Sequence, residues 1–230
     1  MATTVAFEEL IEVPMDLRSL ADFRGWARSH DFPERGRIDY IAGRIEVDMS
    51  PEDIFTHGTL KTEIIRVLLD RVKRFQLGHL LSDRTRISSV EGDVSAEPDV
   101  VFISRDSLRS GRVRLVPKAG GEPGRYVEVE GAPDLIVEIV SDTSVVKDLR
   151  RLPPAYFRAG VGEFWLADAR GEELLFQVHT PAETAFQPVD TDADGFQPSR
   201  VFGCAFRLDR ERDEEDHWVY DLVLRETADA

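Results

Sequence analysis

The stretch Pro133 to Ser141 reads PDLIVEIVS, and five of its nine residues are aliphatic. Side chains alternate along a strand, so Asp134, Ile136, Glu138 and Val140 share one face and Leu135, Val137 and Ile139 the other. A strand that is apolar on both sides is covered on both faces and therefore central in its sheet. That constrains the whole chain, which must supply two covering layers. It also raises a problem, because Glu138 sits inside the strand. A buried carboxylate without a partner is costly. Either a cation from the protein, such as an arginine of the following helix, or a metal ion has to compensate it.

A second carboxylate has a similar setting. In EPDVVFI, Asp99 opens another apolar strand. Two carboxylates at the ends of neighbouring buried strands can share a divalent cation. Mg²⁺ prefers oxygen ligands, takes few of them from protein and keeps several waters. Spacing alone does not decide between that ion and an ion pair.

Other periodicities fill in the layers. Residues 16–29 place Leu17, Leu20, Phe23 and Ala27 at helical spacing, with Asp16 as the cap. RIDYI and GRIEVDM flank Ala42-Gly43 and predict a hairpin. Residues 55–75 predict a longer helix, with Leu60, Ile64, Val67, Leu68 and Val72 on one face. Strands are expected at 79–88, 98–104, 125–131, 134–140, 163–168, 173–180 and 217–224. A helical segment covers 146–159, where Pro153-Pro154 requires a helix start or a junction of two short helices. Gly160 ends it. The sum is a mixed α/β (α+β) fold with helices packed on a central sheet. With no repeat and no low-complexity linker, one domain over residues 1–230 is the simplest organisation.

Composition narrows the setting. A single cysteine, Cys204, excludes an internal disulfide and suits a reducing compartment. The opening stretch MATTVAFEELIEVPMDL lacks a basic segment followed by an apolar run, so no signal peptide is expected. No apolar run reaches the ~20 residues of a membrane helix, and a cytoplasmic location is expected. The net charge of −15 argues against strong non-specific nucleic-acid binding, although charge distribution matters more than its sum. Residues 105–125 are locally basic, and Asp209 to Asp216 are acidic; both runs are also compatible with plain solvated surface.

In order, EPDVVFIS, PDLIVEIVS and KDLRRLPPAYFRAGVGEFWLAD resemble the Uma-two family of endonuclease-like proteins, within the PD-(D/E)XK restriction-endonuclease-like superfamily. The resemblance runs from about Arg37 to Asp168, with further strands expected at 173–224. It implies a mixed sheet flanked by helices, a Mg²⁺ or Mn²⁺ site, and DNA as substrate. By position, Asp99 and Glu138 would be the metal ligands and catalytic carboxylates, with Glu46 as a further candidate ligand. The superfamily lysine normally lies two residues after the glutamate, where this chain has Val140. Family members commonly supply it from the next helix instead, at the position of Leu152. Both slots are apolar, and Lys147 is the nearest substitute. His57 matches the family pattern as a carboxylate-orienting or substrate-contacting residue. Arg151, Arg112 and Arg114, with other arginines of 66–86 and 105–125, are candidate phosphate contacts. Tyr156, Phe164 and Trp165 are expected to pack in the core. Two functions follow: a metal-dependent DNA endonuclease, or a degenerate nuclease fold that binds DNA or protein without turnover. A homodimer would suit an enzyme that cuts both strands.

Overall fold

The computed structural model describes residues 12–226. The first eleven residues, most of the stretch in which no signal peptide is expected, lie outside them. Among the described residues, two six-stranded sheets and one three-stranded sheet are flanked by four helices. The first sheet contains β1 (Arg37–Ile41), β2 (Arg44–Asp48), β4 (Arg86–Ser89), β5 (Val94–Ala96), β7 (Val113–Pro117) and β8 (Tyr126–Gly131), in the order β2-β1-β5-β4-β8-β7. The second contains β3 (Gly78–Ser82), β6 (Val100–Ser104), β9 (Leu135–Ile139), β10 (Glu163–Asp168), β11 (Leu175–Pro181) and β12 (Phe186–Pro188), in the order β12-β11-β10-β9-β6-β3. The third is the antiparallel set β13 (Gln197–Ser199), β14 (Cys204–Arg212) and β15 (Trp218–Glu226).

PDLIVEIVS supplies β9, and all five of its strand residues are buried. It lies between β10, to which it is parallel, and β6, to which it is antiparallel. Both faces are covered. Leu135, Val137 and Ile139 pack in one core with Leu60, Ile64 and Leu68 of α2 (Thr59–Arg74) and with Phe202 and Phe206 beside the third sheet. Ile136 and Val140 pack in a second core with Ile87, Val94 and Val129 of the first sheet and with Leu152, Ala155 and Tyr156 of α4 (Leu152–Ala159). The doubly apolar strand is therefore a reliable sign of a sheet sandwiched between two layers.

Local signals explain most boundaries. Ala42 and Gly43 turn the β1–β2 hairpin with φ of 48° and 78°, the left-handed pair that a two-residue hairpin loop requires. α4 begins with prolines in its first turn and ends at Gly160, whose φ is 82°. Each of α2 and α4 is preceded by a wide π-helical turn, Ile54–Gly58 and Lys147–Arg151.

Two expectations are corrected. The first helix, α1 (Leu20–Ala27), is capped by Ser19, which accepts from the Asp22 N–H, and not by Asp16. Asp22 returns the bond by accepting from the Ser19 hydroxyl at 2.8 Å, which fixes the start. The run 79–88 is two strands, because the chain breaks at Asp83-Arg84, with Arg84 at φ 57°, and passes from the second sheet to the first. The basic run 105–125 contains α3 (Arg105–Ser110) and the edge strand β7.

Glu163, fully buried at the start of β10, fastens the third sheet to the second. Its carboxylate accepts from the Ser199 hydroxyl at 2.8 Å, the Trp165 indole N–H at 3.0 Å, and the backbone N–H groups of Arg200 and Val201 at 2.5 and 3.0 Å. Glu163→Gln turns an N–H₂ group toward donors and should cost about 1–3 kcal/mol. A lowered urea midpoint without a change in m-value checks it.

Candidate functional site

The two central carboxylates meet at one end of the β6–β9 pair. Val100 pairs with Val137 in antiparallel register, and continuing that register sets Asp99 opposite Glu138. Their environments differ. Asp99 is fully buried and well supplied with donors. Its Oδ2 accepts from the Ile139 N–H at 2.8 Å and lies 3.5 Å from His57 Nε2; its Oδ1 accepts from Arg37 at 3.0 Å and lies 3.8 Å from the Lys61 ammonium. Burial opposes its charge, but the His57 hydrogen bond and the Arg37 and His57 charges outweigh burial and hold it well below the ordinary aspartate range.

Glu138 is almost as deeply buried, with one partner. Its Oε1 accepts from the Tyr156 hydroxyl at 2.6 Å, and its Oε2 is buried with none. Burial, reinforced by the charges of Asp148 and Asp99, pushes its pKa well above the ordinary value. The partner of the carboxylate in PDLIVEIVS is thus a tyrosine of the next helix, not an arginine.

Lys147 enters this cluster from the π-helical turn. Its ammonium donates to Asp39 at 3.1 Å and lies 3.9 Å from Asp148. Burial opposes its charge; the charges of Asp39, Glu138 and Asp148 more than offset that and raise its pKa. The Leu152 N–H bonds back to the Lys147 carbonyl five residues earlier, so Lys147 stacks one wide turn under Leu152. Val140 and Leu152 themselves are core residues. Burial brings the pKa of Asp148 up to about 6 against the pull of the Lys147 charge, and its Oδ1 has no hydrogen bond.

His57 comes from the other π-helical turn, whose start Asp53 fixes by accepting from the Phe55 and Thr56 N–H groups at 3.0 and 2.7 Å. His57 lies between Asp99 and Glu52, its Nδ1 3.2 Å from Glu52 Oε2. Burial disfavours its charge, but both carboxylates outweigh that and raise its pKa to about 9. The imidazole of His57, 3.2 Å away, lowers Glu52 to about 2. Ligand atoms of Glu52, His57 and Asp99 lie within 4.8 Å of one another, the arrangement among the described residues that could hold one ion. A cleft of about 340 Å³ opens over them and is also lined by Arg37, Asp83, Arg84, Ser141 and Thr143.

Asp99, Glu138, His57 and Lys147 are therefore brought together. Glu46 and Arg151 instead pair with each other at 2.5 Å. Arg112 is held by Asp134 and Ser107, and Arg114 by Glu130 at 3.0 Å, at the far edge of the first sheet. None of these four lines the cleft. Asp39, Glu52 and Lys61 were not anticipated. Asp39 was legible by the logic applied to Glu138, since it is a carboxylate inside the strand RIDYI. Glu52 and Lys61 carry no such signal.

The model of the Uma2 family, described as "Putative restriction endonuclease", matches residues 20–211, and the chain belongs to that family. A search of curated proteins finds no match. Among solved structures, the fold is similar to one described as "a putative nuclease belonging to DUF820 from Anabaena variabilis", with a TM-score of 0.55, 22% identity, and coverage of 80% of this chain and 90% of that one. At that identity the likeness speaks to the fold.

The charged His57 gives a pH prediction for the metal-free protein. Its folded pKa of about 9 exceeds the ordinary 6.5, so its contribution to stability is complete below 6.5 and is lost as pH rises through 9. Thermal melts in EDTA should show Tm falling over that window, and His57→Gln should flatten the fall.

Proposed function

We propose that the protein is a metal-dependent endonuclease that hydrolyses phosphodiester bonds in DNA. The observation that carries this reading is the pairing of two buried carboxylates, Asp99 ringed by donors and Glu138 with a single one, beneath an open cleft. Carboxylates whose environments push their pKa values apart are characteristic of sites with divided chemical roles. Membership of the Uma2 family supports the class of reaction.

The residues fit a divalent cation. Glu138 Oε2 and Asp148 Oδ1 are buried acceptors with no hydrogen bond, the state expected where a cation completes the cluster. Asp99, Glu52 and His57, with Glu138 on the neighbouring strand, would hold Mg²⁺ or Mn²⁺, ions that carboxylate oxygens suit. When bound, the ion would stabilise developing charge on the phosphate and acidify the attacking water.

The protein's own groups would do the rest. Arg37 and the Ile139 N–H fix the rotamer of Asp99. Lys147, kept protonated by its acidic neighbours, serves as a positive charge and a positioning donor rather than as a base. Tyr156 orients Glu138. Arg84, exposed at the mouth, would meet a backbone phosphate. Cleavage of both strands would call for two copies of the chain.

A second reading, a nuclease fold that binds DNA or protein without turnover, is favoured by the apolar Val140 and Leu152 in the usual lysine slots. Thermal melts with and without Mg²⁺ and Mn²⁺, paired with plasmid nicking, separate the two. The enzyme reading expects a metal-dependent rise in Tm and nicking, with both lost in Asp99→Asn and Glu138→Gln. In Lys147→Ala, nicking should fall about 100- to 1000-fold while the metal-induced shift persists. A shift without nicking in the wild type selects the second reading. No shift and no nicking would end the metal mechanism.

A further inference from the structure

A second hollow of about 300 Å³ lies beside the cleft, in the crevice between the β3 edge of the second sheet and β7 and β8 of the first. Its lining is largely apolar, with Leu81, Ile103, Leu115 and Val127 joined by Tyr126 and by His79 at one wall. Leu115, Tyr126 and Val127 stay 38, 53 and 40% exposed, an unusual concentration of uncovered apolar surface. The volume is at the low end for small-ligand sites, which suits one planar group and excludes a duplex.

Arg84 lines both this groove and the cleft. It sits at the break between β3 and β4, at φ 57°. Among the described residues no hydrogen bond or ion pair engages its guanidinium, and Glu97 feels its charge. The other arginines of 66–86 are differently occupied. Arg71 is held by Phe202 and Glu226, Arg86 by Glu97 and the Ile38 carbonyl, and Arg66 by Glu63, while Arg74 lies over the Phe75 ring. A free cation therefore stands at the junction of a carboxylate-rich cleft and an apolar slot containing a tyrosine. A nucleotide has matching parts in the same order: a phosphate beside a planar, stackable base.

We propose that the groove seats one unpaired base of the strand whose neighbouring phosphate lies in the cleft, with Arg84 holding the phosphate between them. The inference rests on the nuclease reading and deepens it. A base can enter the slot only when it is out of its duplex stack, so the preferred substrates are single strands, flaps and bubbles. Stacking on Tyr126 tolerates any base, so the groove selects strand structure rather than sequence.

The test is fluorescence anisotropy with a labelled oligonucleotide, single-stranded or annealed to its complement, in EDTA and again with Ca²⁺. The wild type should bind the single strand about tenfold or more tightly than the duplex. Tyr126→Ala should weaken single-strand binding about 5- to 100-fold, the range for loss of one stacked base, and leave duplex binding within about twofold. Arg84→Ala should weaken both and lower the salt slope by about one. Both side chains are exposed, and matching melts would show that the variants fold. Equal binding of the two DNA forms, or an unchanged Tyr126→Ala, overturns the groove and leaves the nuclease reading standing if nicking persists. Sedimentation as a dimer that Tyr126→Ala dissolves would give the groove to a second copy of the chain instead. Binding to neither DNA form would remove both readings.

Discussion

The carboxylate of Asp99 is the constraint on which the rest of the molecule depends. It is fully buried, and it is tolerable there only because Ile139, Arg37, His57 and Lys61 reach it from four separate elements. Those contacts join the second sheet to β1 of the first sheet and to the helix that covers its other face. A charge that no single neighbour can neutralise thus compels several layers to converge. Its counterpart Glu138 has the opposite solution. With one tyrosine and one orphaned oxygen, it meets the cost of burial by favouring its neutral form.

Much of this architecture was legible in the chain. The strand at PDLIVEIVS, the hairpin turned at Ala42-Gly43, the α2 stripe and the proline-led α4 are all produced by strong local patterns. The short strands β5, β12 and β13 were not legible, because three residues are too few to display alternation. β14 hid for another reason. Its charged residues pair along the strand, as Arg207 does with Asp209, so the segment looks like solvated surface while its apolar face closes a core. The split of 79–88 depended on Arg84 adopting a conformation that nothing in its identity requires.

For the site, sequence marked the residues that interrupt apolar strands and missed those whose position depends on tertiary approach. Asp99 and Glu138 belong to the first group, and Lys147, in the turn before α4, was reached through the family resemblance. Glu52 and Lys61 belong to the second, converging from a loop and a helix onto a carboxylate distant in sequence. Arginines were the least legible type. An arginine bound to a backbone carbonyl in the interior and one free at the surface are spelled alike, and only Arg84 of the 66–86 group lines the cleft.

The two π-helical turns have a consequence for how such sites are recognised and how they diverge. A wide turn absorbs an extra residue at a helix start without shifting the helix behind it, so α4 keeps Leu152 and Tyr156 in the core whatever precedes them. Within the turn, positions five apart become spatial neighbours, as the bond from Leu152 to Lys147 demonstrates. An ammonium can therefore relocate along the chain by one such turn while remaining in the same vicinity of the fold. A motif written as fixed intervals between letters would score such a relocation as a loss, although the two positions are neighbours in space.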